Sequence, residues 1–248
     1  MSEAIDFKVV GSRPVRPDGT DKVTGRAAFG ADFSLPGMIH GAVLRSPHAH
    51  ARIRSVDVSA ARTMPGVKAV LTGADLPAVS GGAIEGGEGG GDYAELAVNV
   101  MARDKALYEG HAVAAVAATT LEQARAALQA IVVDYEVLEP VLDIESAMRA
   151  DAPLVDESRY TQGLDEKPER PSNLASKLVQ SRGDVQAGFA EAEVVVEGEF
   201  TTPLVHQGYI EPHACLARAG ADGRVTLWNT TQGHFDDRTS VAPILAIP

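Results

Sequence analysis

The sequence is poor in cysteine, in clustered basic residues and in long apolar runs, and each shortage excludes a class of protein. Cys215 is the only cysteine among 248 residues, so no internal disulfide can form, and a reducing compartment is favoured. One cysteine is also too few for an iron–sulfur cluster or a cysteine-rich zinc site held by this chain alone. Hydrophobic residues make up 45% of the chain, which is enough for one large domain or two modest ones.

Positive charge is also scarce. The chain has 22 Lys and Arg against 34 Asp and Glu, a formal net charge of −12, and the basic residues form no cluster that nucleic acid would need. The opening MSEAIDFKVV lacks the charged-then-apolar pattern of a secretory signal. No apolar run approaches the roughly 20 residues of a membrane-spanning helix. We therefore expect a soluble, cytoplasmic protein that binds neither nucleic acid nor membrane.

Several enzyme signatures are missing as well. The sequence contains no GxSxG nucleophile elbow, no GxGxxG after a predicted strand, no P-loop and no HExxH motif. Spacing alone leaves a Ser-His-Asp triad open, because the members of a triad lie far apart in sequence. Motif patterns by themselves therefore predict a protein of two modules and assign it no chemistry.

The residues between 52 and 71 predict a strand, a short helix and a second strand. The first strand is Arg52–Val58, where polar and apolar residues alternate. Ser59 is the predicted N-cap of a helix that extends to Met64 and is stopped by Pro65-Gly66. The second predicted strand is Val67–Leu71.

The same order returns between residues 111 and 137. A strand of small apolar residues is predicted at His111–Ala118, and another strand at Val132–Val137. Between them, Thr120 and Gln123 have the spacing of a capping box at the start of an amphipathic helix. Two such strand–helix–strand units indicate an α/β or α+β domain.

Residues 151–182 mix proline, charge and polar residues without a sustained period, and they are the predicted linker. The module after it is predicted to contain a helix, a long strand and a hairpin. These are a helix capped by Asp184 and ending at Ala192, a strand at Val194–Val205, and paired strands at His213–Ala219 and Arg224–Thr231. Ala221-Asp222-Gly223 supplies the turn of the hairpin. This module ends without a closing element, so we expect it to be unfinished.

Two histidine-containing segments are candidate metal sites. His48 and His50 are two residues apart, so they would share one face of a strand, but no acidic or thiol ligand lies beside them and a structural turn is the alternative. The second segment contains His206, Glu211, His213 and Cys215 in a spacing that matches no standard zinc pattern. Its alternative is a buried strand pair whose polar groups bond to one another.

Residues 80–92 (SGGAIEGGEGGGD) form the glycine-rich segment of the chain. A phosphate cradle needs a strand before the glycines and a helix N-terminus after them, and Glu85 and Glu88 would repel a phosphate. The composition is typical of a flexible loop, which is the favoured interpretation.

Taken together, several segments resemble one family. The a/b hammerhead domain of the xanthine dehydrogenase/aldehyde oxidase family is similar to DGTDKVTGRAAFGADF (18–33), LRSPHAHARI (44–53), PGVKAVLTGADLP (65–77), YEGHAVAAVAA (108–118) and VDYEVLEPVLDIESAM (133–148). The start of that family's molybdopterin-binding domain is similar to GDVQAGFAEAEVVVEGEF (183–200), HQGYIEPHACLA (206–217) and LWNTTQGHFDDRTSVAPILAIP (227–248). The resemblance covers almost the whole chain.

The resemblance implies an α+β fold, with a hammerhead domain followed by an incomplete α/β molybdopterin-binding domain. The predicted boundaries are an N-terminal extended arm at 1–25, a hammerhead domain at 26–150, a linker at 151–182 and the start of the molybdopterin-binding domain at 183–248.

The resemblance also implies an activity and its cofactors. Members of the family hydroxylate aldehydes and aromatic heterocycles with oxygen taken from water, at a molybdenum held by a pterin dithiolene. Electrons leave through [2Fe–2S] clusters and usually FAD, which belong to an iron–sulfur subunit and an FAD subunit. By resemblance, Gln232 matches the glutamine that approaches the oxo ligand of the molybdenum, and a neutral amide donor suits that role. By the same resemblance, Glu211 matches an acidic residue that is expected either to be structural or to support the residues that contact the cofactor.

The chain departs from the family pattern in what it lacks. The glycine-rich GGGFGGK-type cofactor motif and the glutamate that acts as catalytic base are absent, so no catalytic residue is assigned. We expect the remaining molybdopterin-binding chain to complete the cofactor site and to bind the small-molecule substrate. The alternatives are a truncated, inactive fragment and a stand-alone binding or assembly module. The apolar stretch Val241–Ile247 argues against a stand-alone module, since exposed apolar patches mark interfaces.

Overall fold

The structure is a computed structural model that describes residues 8–79, 81–82, 92–166 and 168–247. Helices and strands alternate along the chain. In chain order they are α1 (Gly19–Val23), β1 (His40–Arg45), β2 (Ala51–Asp57), α2 (Ser59–Arg62), β3 (Val67–Thr72), α3 (Tyr93–Val100), β4 (Lys105–Ala106), β5 (Ala112–Ala118), α4 (Leu121–Leu128), β6 (Val132–Val137), α5 (Ile144–Met148), α6 (Val185–Glu191), β7 (Cys215–Ala219), β8 (Val225–Asn229) and α7 (His234–Ile244). Short 3-10 turns lie at Gly30–Asp32 and Gly73–Asp75.

Contacts divide the chain into two compact units. The first unit contains the residues up to Pro36 together with Leu204–Gln232, and the second contains Gly37–Pro203 together with the residues from Gly233 onwards. The second unit includes β1 to β6 and its own hydrophobic core. The domain boundaries expected from the sequence stay predictions.

The second unit is built on two three-stranded sheets with the orders β1-β5-β3 and β4-β2-β6. Every pairing between these strands is antiparallel. The two strands of each predicted strand–helix–strand unit lie in different sheets. Strand β2 is in one sheet and β3 in the other, and the same holds for β5 and β6. The helices therefore connect two sheets instead of crossing over within a parallel one, which makes the fold α+β, as predicted.

The core of the second unit lies between β5 and α4. The central strand β5 has the sequence AVAAVAA, and Val116 on it is buried against Ala124 and Leu128 of α4. Small alanine side chains let the helix approach the sheet closely, and the burial of each Val or Leu side chain contributes about 1.5–3 kcal/mol. The sequence pattern of His111–Ala118 predicted this buried strand correctly.

The capping box at the start of α4 is confirmed. The Gln123 backbone N–H donates to Thr120 Oγ1 at 3.2 Å, and the Thr120 backbone N–H donates to Gln123 Oε1 at 3.2 Å. Gly66 lies against this box, with φ of 84° and no room for a Cβ beside the Gln123 side chain. The left-handed conformation and the close approach both require glycine at this position.

The start of α2 differs from the prediction. Ser59 is the first helical residue and not the N-cap, and the backbone N–H of Ser59 donates to Asp57 Oδ1 at 2.9 Å. Val58 is the N-cap and makes no side-chain cap, and the charged Asp57 carboxylate instead accepts the first N–H of the helix, where negative charge is favourable. The Ser59 hydroxyl and backbone N–H hold the pKa of Asp57 below its usual value.

The hairpin of the first unit is confirmed. Strands β7 and β8 pair antiparallel, with Cys215 opposite Asn229 and Ala219 opposite Val225. Gly223 closes the turn with φ of 80°, the left-handed conformation that the predicted Asp-Gly turn requires. In the second unit, the predicted helix after Asp184 is also confirmed as α6, and the Ala187 N–H donates to Asp184 Oδ1 at 2.9 Å.

Two predicted elements are wrong. The predicted strand Val194–Val205 has no strand structure, and its apolar side chains are exposed. A strand needs a neighbouring strand for its backbone groups, and within the described ranges this segment pairs with none. The arm expected to be extended at 1–25 contains α1, where Asp18 lies 2.7 Å from Lys22 one helical turn away.

No helix in the described part of the chain is long and apolar enough to cross a membrane.

Candidate functional site

Gln232 is the sequence-predicted cofactor contact, and it lies in the first unit just after β8. Its side chain is exposed. Its amide makes no hydrogen bond with the described residues, so its N–H donors and its carbonyl oxygen are not engaged by them. An exposed, unengaged amide is able to donate to an external acceptor without breaking a bond inside the protein.

Glu211 is half-buried in the same unit and bonds to two other segments. Its Oε1 accepts from the backbone N–H of Gly30 at 3.1 Å and from the hydroxyl of Thr230 at 3.3 Å. Gly30 was not singled out by sequence patterns, because it is 181 residues from Glu211 along the chain. The structural role expected for Glu211 agrees with these contacts.

The remaining members of the second histidine segment are arranged around Tyr209. Its ring stacks on His213 with centroids 4.4 Å apart, and its hydroxyl lies 3.2 Å from His206 Nε2. Cys215 is exposed at the start of β7, so the alternative of a buried strand pair is wrong for these side chains. The described ranges contain no group of three or more His, Cys, Asp or Glu side chains arranged to hold a metal ion.

His48 and His50 lie in a turn of the second unit between β1 and β2, not on a strand. The Ser46 hydroxyl organises the turn, since it accepts from the His48 backbone N–H at 3.1 Å. His50 is only 4% exposed, and its Nδ1 lies 2.8 Å from the carbonyl oxygen of Glu139. Its Nε2 is buried without a hydrogen-bond partner in the described structure. The turn keeps the two rings in separate environments, so they do not form a shared metal site.

His111 is a buried histidine that sequence patterns placed only at the start of a strand. It is 0% exposed, and Tyr108 stacks on its ring at 4.4 Å. Nδ1 accepts from the backbone N–H of Leu107 at 3.2 Å, so Nε2 must carry the proton that bonds to the Val98 carbonyl oxygen at 2.8 Å. Burial lowers the pKa of His111 below 6.5. The ring is therefore a neutral structural link and not an acid–base group.

A cleft of about 990 Å³ also lies in the second unit. Its acidic lining is already engaged: Arg159 bonds to Glu95 at 3.3 Å and to Asp156 at 3.1 Å, and Asp92 and Asp143 cap α3 and α5. The backbone N–H and hydroxyl of Ser146 hold the pKa of Asp143 below its usual value. The charged side chains that line the cleft therefore have structural partners.

Most of the glycine-rich segment 80–92 lies outside the described residues.

Comparison with known proteins identifies both parts of the chain. Residues 24–139 match the a/b hammerhead domain of aldehyde oxidase and xanthine dehydrogenase, and residues 166–248 match the molybdopterin cofactor-binding domain. The nicotinate dehydrogenase large molybdopterin subunit of Eubacterium barkeri is 34% identical over 98% of this chain and 52% of its own length. The carbon monoxide dehydrogenase large chain of Afipia carboxidovorans is 35% identical over 90% of this chain and 27% of its own length.

Solved structures agree with the sequence relatives. Quinoline 2-oxidoreductase from Pseudomonas putida 86 has a TM-score of 0.77 and 33% identity, with 96% of this chain and 29% of that chain covered. Aldehyde oxidoreductase from Desulfovibrio gigas has a TM-score of 0.73 and 27% identity, with 94% of this chain and 25% of that chain covered.

The fold and the two matched domains define a member of a family of oxidoreductases that carry a molybdopterin cofactor-binding domain. The chain belongs to the xanthine dehydrogenase/aldehyde oxidase family and corresponds to part of its molybdopterin-binding subunit. It spans about half of the E. barkeri protein and 27% of the A. carboxidovorans chain.

Proposed function

We propose that this chain is part of a cytoplasmic molybdenum hydroxylase that oxidises an aldehyde or an aromatic N-heterocycle with oxygen derived from water. The observation that carries the proposal is the match of both family domains, in the family's order, across one chain. The names of relatives and solved structures include dehydrogenases or oxidoreductases of nicotinate, quinoline and aldehydes, which supports that substrate class. The alternatives stay a truncated, inactive fragment and a stand-alone assembly module.

The residues present fit a limited role at a molybdenum cofactor. The described residues offer no set of direct metal ligands, so the metal would be held by its pterin. Gln232 offers an exposed, neutral amide that donates a hydrogen bond without adding charge. A bound cofactor would supply the redox chemistry, and Gln232 would be the hydrogen-bond donor that this chain offers to it.

The proposal requires partner chains. An exposed segment in the second unit supports this requirement, since Val194, Val196 and Phe200 are 78%, 88% and 92% exposed. Exposed apolar side chains in an extended segment are typical of a strand that pairs with another chain. We propose the remaining molybdopterin-binding chain as that partner, and an iron–sulfur subunit and an FAD subunit as the route for electrons.

The test is purification of the chain from its native source followed by metal analysis. We expect molybdenum, iron and flavin to co-purify with it, together with a larger chain. An isolated, well-folded monomer that holds no molybdenum would contradict the proposal and favour the assembly module.

A substitution tests the assigned residue. Gln232→Ala in the assembled enzyme should lower kcat about 100-fold, because one preorganised hydrogen-bond donor at a reacting centre contributes about that factor. The matched control is Gln207→Ala, since Gln207 is an exposed glutamine of the same unit. Steady-state rates and the electron paramagnetic resonance signal of molybdenum should change in the first variant alone. Equal effects in both variants would contradict the role of Gln232.

A further inference from the structure

One carboxylate oxygen joins two distant segments of the first unit. Oε1 of Glu211 accepts the backbone N–H of Gly30 at 3.1 Å and the hydroxyl of Thr230 at 3.3 Å, and the same hydroxyl also lies 3.2 Å from the carbonyl oxygen of Pro212. Gly30 begins the 3-10 turn Gly30–Asp32, and Thr230 follows the last residue of β8. The N-terminal segment and the end of the hairpin are therefore tied together through a single atom.

The hydrogen bond from Gly30 to Glu211 depends on the conformation of the N-terminal segment. A Cβ at position 30 would lie 2.8 Å from Thr230 Oγ1 and 3.2 Å from the carbonyl oxygen of Ala214, so only glycine brings its N–H this close. The turn is fixed from within, because the Phe29 backbone N–H donates to Asp32 Oδ2 at 2.9 Å. The Gly30 N–H is thus held toward the carboxylate.

Thr230 is fixed on its other side by the hairpin. Its backbone N–H donates to the Ala214 carbonyl oxygen at 3.2 Å, and its Oγ1 accepts the Ala214 backbone N–H at 3.4 Å. These bonds continue the ladder one step beyond the pair of Cys215 and Asn229. Gln232 comes two residues after Thr230, so the direction in which Gln232 leaves the hairpin is set where Glu211 binds.

We propose that Glu211 is a positioning residue for Gln232. Its carboxylate holds Thr230 and the N-terminal turn in one arrangement, and this arrangement aims the Gln232 amide at the cofactor. The inference rests on the proposed function, because Gln232 has a cofactor to contact only if the chain is part of a molybdenum enzyme. A misplacement of about 1 Å at a reacting centre lowers rates up to about 100-fold.

Hydrogen exchange in the assembled enzyme tests the positioning directly. In Glu211→Ala, we expect the backbone amides of Gly30 and Thr230 to exchange at least about tenfold faster. The Gly30 N–H loses its acceptor, and the Thr230 N–H keeps Ala214 as its acceptor but loses the support of the carboxylate beside it. In Glu211→Gln, the same two backbone amides should exchange at rates within about twofold of the wild type, since the Gln amide oxygen accepts the same two bonds. The control Glu169→Ala removes an exposed carboxylate outside the site and the proposed interface and should change neither amide.

The kinetic result separates positioning from simple stability. Glu211→Ala should lower kcat about 10- to 100-fold with KM unchanged, and Glu211→Gln should restore it. Gly30→Ala breaks the same contact from the other side and should reproduce the effect, so the inference stays testable if Glu211→Ala fails to fold.

Unchanged exchange of Thr230 in both disrupted variants, or a loss of activity that Glu211→Gln does not restore, would overturn the positioning role. Absence of molybdenum from the wild-type assembly would contradict the proposed function instead. The exchange measurement needs no bound metal, so the two failures are distinguishable.

Discussion

At the scale of single residues, His111 links three parts of the second unit. Its ring accepts a bond from Leu107 and donates one to Val98, while its own carbonyl oxygen accepts the Ser46 backbone N–H at 2.8 Å. The bond from Leu107 needs the neutral form, because a proton on Nδ1 would face the Leu107 N–H, whereas the Nε2–H donates to Val98 in either form. Loss of these bonds and of the buried ring volume in His111→Ala should cost about 3 kcal/mol of unfolding free energy. Urea unfolding of the wild type and the variant measures this loss of unfolding free energy.

The same residue predicts a pH dependence. Burial lowers the pKa of folded His111 below the ordinary 6.5, so the unfolded chain binds more protons than the folded chain once the pH falls through 6.5. The stability contributed by His111 is therefore complete above that value and is lost toward the lower folded pKa. His111→Gln keeps a donor and an acceptor but does not titrate. When the pH falls from about 7.5 to about 5, this variant should therefore lose less stability than the wild type. Identical losses would contradict this prediction.

At the scale of elements, the capping box decides where α4 begins. Thr120→Ala removes the acceptor of the Gln123 N–H and should lower the free energy of unfolding by about 1 kcal/mol. Thr120→Ser keeps the hydroxyl and is the matched control, with an expected change of only a few tenths of a kcal/mol. Thermal and urea unfolding both report the difference. A full loss in the serine variant would show that the methyl group, and not the cap, stabilises this helix.

At the scale of the whole molecule, the extended segment with Val194, Val196 and Phe200 is the contact that we propose with the remaining molybdopterin-binding chain. Val196→Ser should weaken association with the remaining molybdopterin-binding chain about 30-fold, because burial of a valine contributes about 2 kcal/mol. Glu197→Gln alters the neighbouring exposed side chain and should leave association unchanged. Pull-down of the partner at increasing concentration measures both. Equal recovery of the partner with both variants would remove this segment from the interface.

The sequence by itself determined the features that depend on neighbours a few residues apart. These are the capping box at Thr120, the helix start at Asp184 and the Asp-Gly turn of the hairpin, and ordered local motifs also identified the family. Only the tertiary structure assigned the strands to two sheets and brought Gly30 to Glu211 across 181 residues. Hydrogen-bond capping and turn geometry act within one turn of chain, whereas strand pairing depends on which distant segment is available. The same reason explains Val194–Val205: its alternation is a local signal, but a strand forms only when a partner supplies the other half of the ladder.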